Sequence, residues 1–97
     1  MATTQPLSGL RVIDCTGWFG ALGGRLLADA GADVVRVIQP GGEPLESEPP
    51  FFGSSKVSIQ DAWYNAGKRV LTLDLQEVEG RAAFARLIAA ADILIEE

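Results

Sequence analysis

The chain contains no histidine, one cysteine, and eight lysines plus arginines against thirteen aspartates plus glutamates in 97 residues. Without histidine it lacks the usual general base, the usual metal ligand and every Ser–His or Cys–His nucleophile pair. Its carboxylates are scattered outside any calcium-loop spacing, so no metal site is expected. Cys15 alone cannot close an intramolecular disulfide. The start MATTQPLSG has neither the basic n-region nor the apolar h-region of a secretory leader, so the expected compartment is the cytoplasm. A net charge of -5 gives no sequence-wide positive field for nucleic acid or anionic lipid, and an anionic ligand must be held locally. No apolar run approaches the roughly 18–20 residues of a bilayer span, so no membrane partner is expected.

The composition, 47% apolar and 22% charged, is that of a packed globular domain and not of a disordered chain. Residues 1–97 read as one domain, with a flexible arm over 1–6. Leu10, Val12 and Ile13 form a first strand that gives way to the glycine-rich turn GWFGALGG. Leu22, Leu26, Leu27 and Ala30 then recur as the apolar stripe of a helix, which ends where Gly31 can take a left-handed cap. Val34, Val35, Val37 and Ile38 make a central parallel strand. A long loop over 39–57 follows, too long to be structureless in a small domain without some role as a flap or contact surface. Ser58 can cap a short helix that runs to Tyr64, with Asp61 three residues on. The alternation of Leu71, Leu73 and Leu75 predicts a third strand, Phe84, Leu87, Ile88 and Ala91 a second long helix, and Ile93 to Ile95 a fourth strand. Strands alternating with helices predict an α/β fold, a Rossmann-like parallel sheet of about four strands flanked by helices.

Several residues invite chemistry, and each has a plainer reading. Gly17, Gly20, Gly23 and Gly24 lie where helix-terminal N–H groups can meet a phosphate, or they serve close helix–strand packing. Their spacing is not the dinucleotide fingerprint, and Ile38 and Gln39 stand where a ribose-binding acid would be, which disfavours NAD. Lys68, Arg69 and Lys56 form the basic cluster of an acidic chain, either as a phosphate contact or as a solvated strand edge. Cys15 reads as a buried structural thiol, since no basic neighbour favours its thiolate. Trp18, Phe19, Phe51, Phe52, Trp63 and Tyr64 line a groove or interface, or close the core.

Taken in order, the segments PLSGLRVID, LLADAGADVVRV, PGGEP, NAGKRVLTLDL and EGRAAFARLIAAADILIE resemble the N-terminal part of the CaiB/BaiF family, the class III coenzyme A transferases. The resemblance runs along nearly all of the chain and implies that it is the N-terminal part of a larger fold. Members of that family are several times longer, form interlocked dimers and use an aspartate nucleophile that lies well downstream. The resemblance therefore implies no catalytic residue here, and a share in the work confined to coenzyme A surface and scaffold. By the same resemblance, coenzyme A or acyl-CoA would be contacted by Phe19 and Gly20, by Gln39, by Leu73, Asp74, Leu75 and Gln76, and by Glu97. This chain departs from the family pattern in its shorter glycine turn, and in having Ile38 where an acid is common, Gln39 where a basic residue or proline is common, and Glu97 where asparagine is usual.

The leading expectation is the N-terminal portion of an acyl-CoA:carboxylate CoA-transferase. A 2-methylacyl-CoA racemase-like member of the same family is the nearest alternative, and the long 39–67 connection favours the transferase branch. A non-catalytic module for dimerisation or assembly is the alternative from another class, and a domain binding NAD or ATP is a third. An uncovered fourth strand predicts self-association, with a second copy or the remainder of a longer chain as partner.

Overall fold

The β-branched runs pair side by side. In the computed structural model, which describes residues 5–97, the elements follow as β1 (Arg11–Cys15), α1 (Ala21–Asp29), β2 (Asp33–Ile38), a 3-10 turn (Pro44–Ser47), α2 (Ile59–Tyr64), β3 (Arg69–Thr72), α3 (Val78–Ala89) and β4 (Ile93–Glu96). Met1 to Thr4, most of the expected arm, lie outside the described residues; Leu7 N–H donates to Ala30 O at 2.9 Å.

All four strands are parallel, in the order β3-β2-β1-β4. The register sets Val12 beside Val34 and Ile93, and Val37 beside Leu71. Alternation then sorts the side chains into two layers. Val12 and Val34 pack with Leu27 and Ala28 of α1, whereas Ile13, Val35 and Val37 pack with Phe84, Leu87 and Ile88 of α3. α1 and α3 thus cover opposite faces, the arrangement that right-handed crossovers impose when the strand order reverses at β1. The α/β reading and the Rossmann-like parallel sheet hold.

Two local expectations are corrected. The buried face of α1 is Ala21, Gly24, Leu27 and Ala28, while Leu22 and Leu26 are 40% and 58% exposed. Small residues bring the helix axis close to the sheet, which turns the larger leucines outward. The third strand stops at Thr72, and Leu73 keeps a single pairing bond, N–H to Ile38 O at 3.0 Å. Asp74 then bends the chain, its Oδ1 accepting from Gln76 N–H at 3.0 Å. That local bond outcompetes continued alternation.

Other expectations stand. α1 ends in a Schellman motif, with Gly31 at φ +107° donating to Ala28 O at 3.0 Å and Ala32 donating to Leu27 O at 3.0 Å. Ser58 caps α2 by accepting from Asp61 N–H at 3.2 Å. The connection after β2 is tied down: Leu45 is buried, and Ser58 Oγ donates to Glu48 O at 2.6 Å.

Candidate functional site

Parallel strands place all their carboxyl ends on one rim, and open α/β sheets receive ligands there, at the point where strand order reverses. In this chain that point lies between β1 and β4. The turn after β1 carries Phe19, 91% exposed, and Gly20; Gln39 follows β2, Leu73 to Gln76 follow β3, and Glu97 follows β4. The residues expected to contact coenzyme A therefore share one edge.

On this rim the N–H groups of Gly17, Gly20, Gln39 and Gln76 are already engaged by carboxylates. Glu97 Oε1 accepts from Gly17 N–H, and its Oε2 accepts from Gly20 N–H at 2.9 Å, at the N-terminal end of α1 where the helix dipole favours negative charge. Gln39 N–H donates to Glu43 Oε1 at 3.2 Å, and Gln76 N–H to Asp74 Oδ1. An anionic ligand must displace carboxylates to reach these groups. Arg81, unremarked in the sequence, stands at the same edge and donates to the carbonyls of Leu75 at 3.2 Å and Gln76 at 3.0 Å.

Beneath the glycine turn lies a buried ion pair. Lys68 Nζ stands 2.7 Å from Asp14 Oδ2, and both side chains are fully buried. The approach is off the line of a good hydrogen bond, so Oδ2 is balanced by charge contact alone. Asp14 Oδ1 accepts from Thr16 N–H at 2.9 Å and Thr16 Oγ1 at 2.6 Å. Lys68 Nζ donates to Ala21 O at 2.8 Å and Asn65 Oδ1 at 2.7 Å. Gly24 makes room for this arm: a Cβ there would meet Asp14 Oδ2 and stand 2.9 Å from Lys68 Cε. Breaking such a pair by removing one partner costs about 3–5 kcal/mol, because a buried charge is stranded.

The expected basic cluster does not exist as a unit. Lys68 goes inward, while Arg69 makes an exposed two-pronged bond to Asp33 at 2.9 and 2.7 Å, at the strands' other end. Such an exposed pair is worth about 0–1 kcal/mol. A cavity of about 240 Å³ lies at that opposite rim, lined by Arg11, Asp33, Arg69, Leu87 and Ala91, away from the glycine turn. Arg36, 4% exposed, reaches Asp61 at 3.5 Å and Glu46 at 4.0 Å, fastening the long connection to β2. Of the six aromatics read as groove or core, Trp18, Phe19, Phe51, Phe52 and Trp63 are exposed, and Arg25 stacks 4.3 Å over Trp63 to join α1 to α2.

Cys15 packs on the α3 side, where burial and then the Asp14 and Glu96 carboxylates push its thiol up. Its thiolate fraction at about pH 8 falls below that of free cysteine. Alkylation by iodoacetamide at that pH is expected to run slower than for free cysteine in the same buffer; an equal or faster rate would show an activated thiol. Among the described residues no cluster of metal-ligating side chains forms, and no helix is long and apolar enough to cross a membrane.

Residues 7–97 match the family model described as CoA-transferase family III. The chain belongs to that family. It is 39% identical over 95 residues to a subunit of succinyl-CoA:(R)-benzylsuccinate CoA-transferase from Thauera aromatica, covering 95% of this chain and 23% of that protein. It is 43% identical over 94 residues to succinyl-CoA:mesaconate CoA-transferase from Haloarcula hispanica, covering 93% of this chain and 24% of that one. The crystal structure of a CaiB/BaiF family protein from Brucella suis superposes with a TM-score of 0.88 at 36% identity, over 97% of this chain and 26% of that one. The chain thus spans about a quarter of the length of the CoA-transferase family III relatives it matches.

Proposed function

We propose that this chain is the N-terminal portion of a family III acyl-CoA:carboxylate CoA-transferase, contributing coenzyme A surface and scaffold. The covalent step belongs to residues outside these 97. Support comes from one observation: Phe19, Gly20, Gln39, Leu73 to Gln76 and Glu97 all lie along the strands' carboxyl rim, the rim that also holds the reversal of strand order between β1 and β4. The ligand is coenzyme A or its acyl thioester, the compartment is the cytoplasm, and the partner is a second copy or the remainder of a longer chain. Titrating the chain with coenzyme A by calorimetry is expected to give micromolar binding. No heat at millimolar ligand would remove the coenzyme reading. It would leave the scaffold reading, a dimerisation or assembly module, which the carboxylates already seated on the rim's donors favour.

A further inference from the structure

The Asp14–Lys68 pair does more than fill the space under α1, because its partners belong to separate parts of the rim. On one side Asp14 Oδ1 fixes Thr16, the residue from which the glycine turn springs, and Lys68 fixes the carbonyl of Ala21, where that turn enters α1. The turn is therefore gripped at both ends by one buried pair. On the other side Lys68 bonds Asn65, whose Nδ2 donates to Asp61 Oδ1 at 2.9 Å, and Asp61 faces Arg36, which also faces Glu46 in the long connection. A continuous line of polar contacts thus runs from Thr16 to Glu46, with Lys68 at its centre.

We infer that Lys68 is a positioning residue that couples the glycine turn to the 39–67 connection, so that the two segments order or loosen together. The Lys68 ammonium serves three elements at one point, and no neighbouring cation can substitute for it. Arg69 is held by Asp33 at the far rim, and Arg36 is held by Asp61 and Glu46. Gly24 lies directly against the pair, and a Cβ there would stand 2.9 Å from Lys68 Cε and 3.0 Å from its Nζ. This coupling is a property of the unliganded chain and goes beyond coenzyme binding.

The test is amide hydrogen exchange, read by NMR without ligand, at Gly17, Gly20, Glu46 and Asn65, with the β2 amides as internal reference. The variant Asp14→Asn/Lys68→Met strands no charge and keeps an acceptor for Thr16. It is expected to speed exchange at all four positions by about tenfold while β2 stays unchanged. Arg69→Gln, at the other rim, is expected to change none of them. Asn65→Ala leaves the ion pair in place and guards against a double variant that does not fold. It is expected to speed exchange at Gly17 and Gly20 by about threefold, although it touches neither. Unchanged Gly17 and Gly20 exchange in a folded double variant, or in Asn65→Ala should the double variant fail to fold, would overturn the coupling. A purely structural role would lower protection in β2 to the same degree as in the turn, which also overturns it. A failure of coenzyme A to bind would sink the functional proposal and leave these exchange results unaffected.

Discussion

Replacing Glu97 with glutamine is expected to tighten coenzyme A binding by about tenfold, or about 1.4 kcal/mol. In the unliganded chain the Glu97 carboxylate holds Gly17 N–H and Gly20 N–H, the donors at the helix end best suited to an anion. A phosphate must eject that carboxylate and then tolerate its charge nearby. The amide keeps the shape and lowers both penalties, since charge-assisted bonds are roughly twice as strong as neutral ones. Glu97 is exposed, so screening limits the gain and added salt should narrow the difference between the two proteins. Calorimetry on both side by side decides: equal or weaker binding by the variant means that Glu97 assists the ligand instead of competing with it.

A large loss of stability is expected from Gly80→Ala. Inside a helix this substitution ordinarily stabilises by about 1 kcal/mol. Here the new Cβ would run into the carbonyl of Asp74, whose oxygen accepts from Glu77 N–H at 3.1 Å to hold the turn before α3. The obstacle is backbone, so it cannot swing aside as a side chain would. Overpacking of this kind costs about 3 kcal/mol or more and outweighs the propensity gain. For a domain of this size, the melting temperature should fall by roughly 10–20 °C. Gly23→Ala, also within a helix but with nothing near its Cβ position, is expected to stabilise by about 0.5–1 kcal/mol. Thermal melts of both variants test the sign, and a Gly80→Ala protein melting at or above the wild type would contradict the close contact.

Much of this architecture was readable from local pattern. The Val34 to Ile38 run, the cap at Gly31, the Ser58 hydroxyl and the α3 periodicity each act within a few residues, so their signals survive in one dimension. The shared rim was legible for the same reason, because parallel strands align their ends. What escaped the sequence depends on distant partners. Leu22 and Leu26 look like the core face of α1 until Ala21 and Gly24 are seen to take that place. Lys68 and Arg69 are neighbours in the chain, yet one reaches Ala21 and Asp14 and the other Asp33. Arg36 reads as an interruption in an apolar strand, and only the fold of the connection shows the acids that neutralise it. Alternation over Leu71, Leu73 and Leu75 suggested three further strand residues, but the Asp74 side chain ended the strand.

The order of strands also determines how the sheet can grow. β1 and β2 each have a neighbour on both sides, so their hydrogen-bonding edges are filled. Among the described residues β3 and β4 each have one neighbour, and their side chains Val70, Leu71, Ile93 and Leu94 are exposed. A fifth strand, whether from the same polypeptide or from another molecule, can therefore be annexed at either margin without cutting a bond that already exists. The four present strands would act as a template whose interior remains untouched while its perimeter is extended.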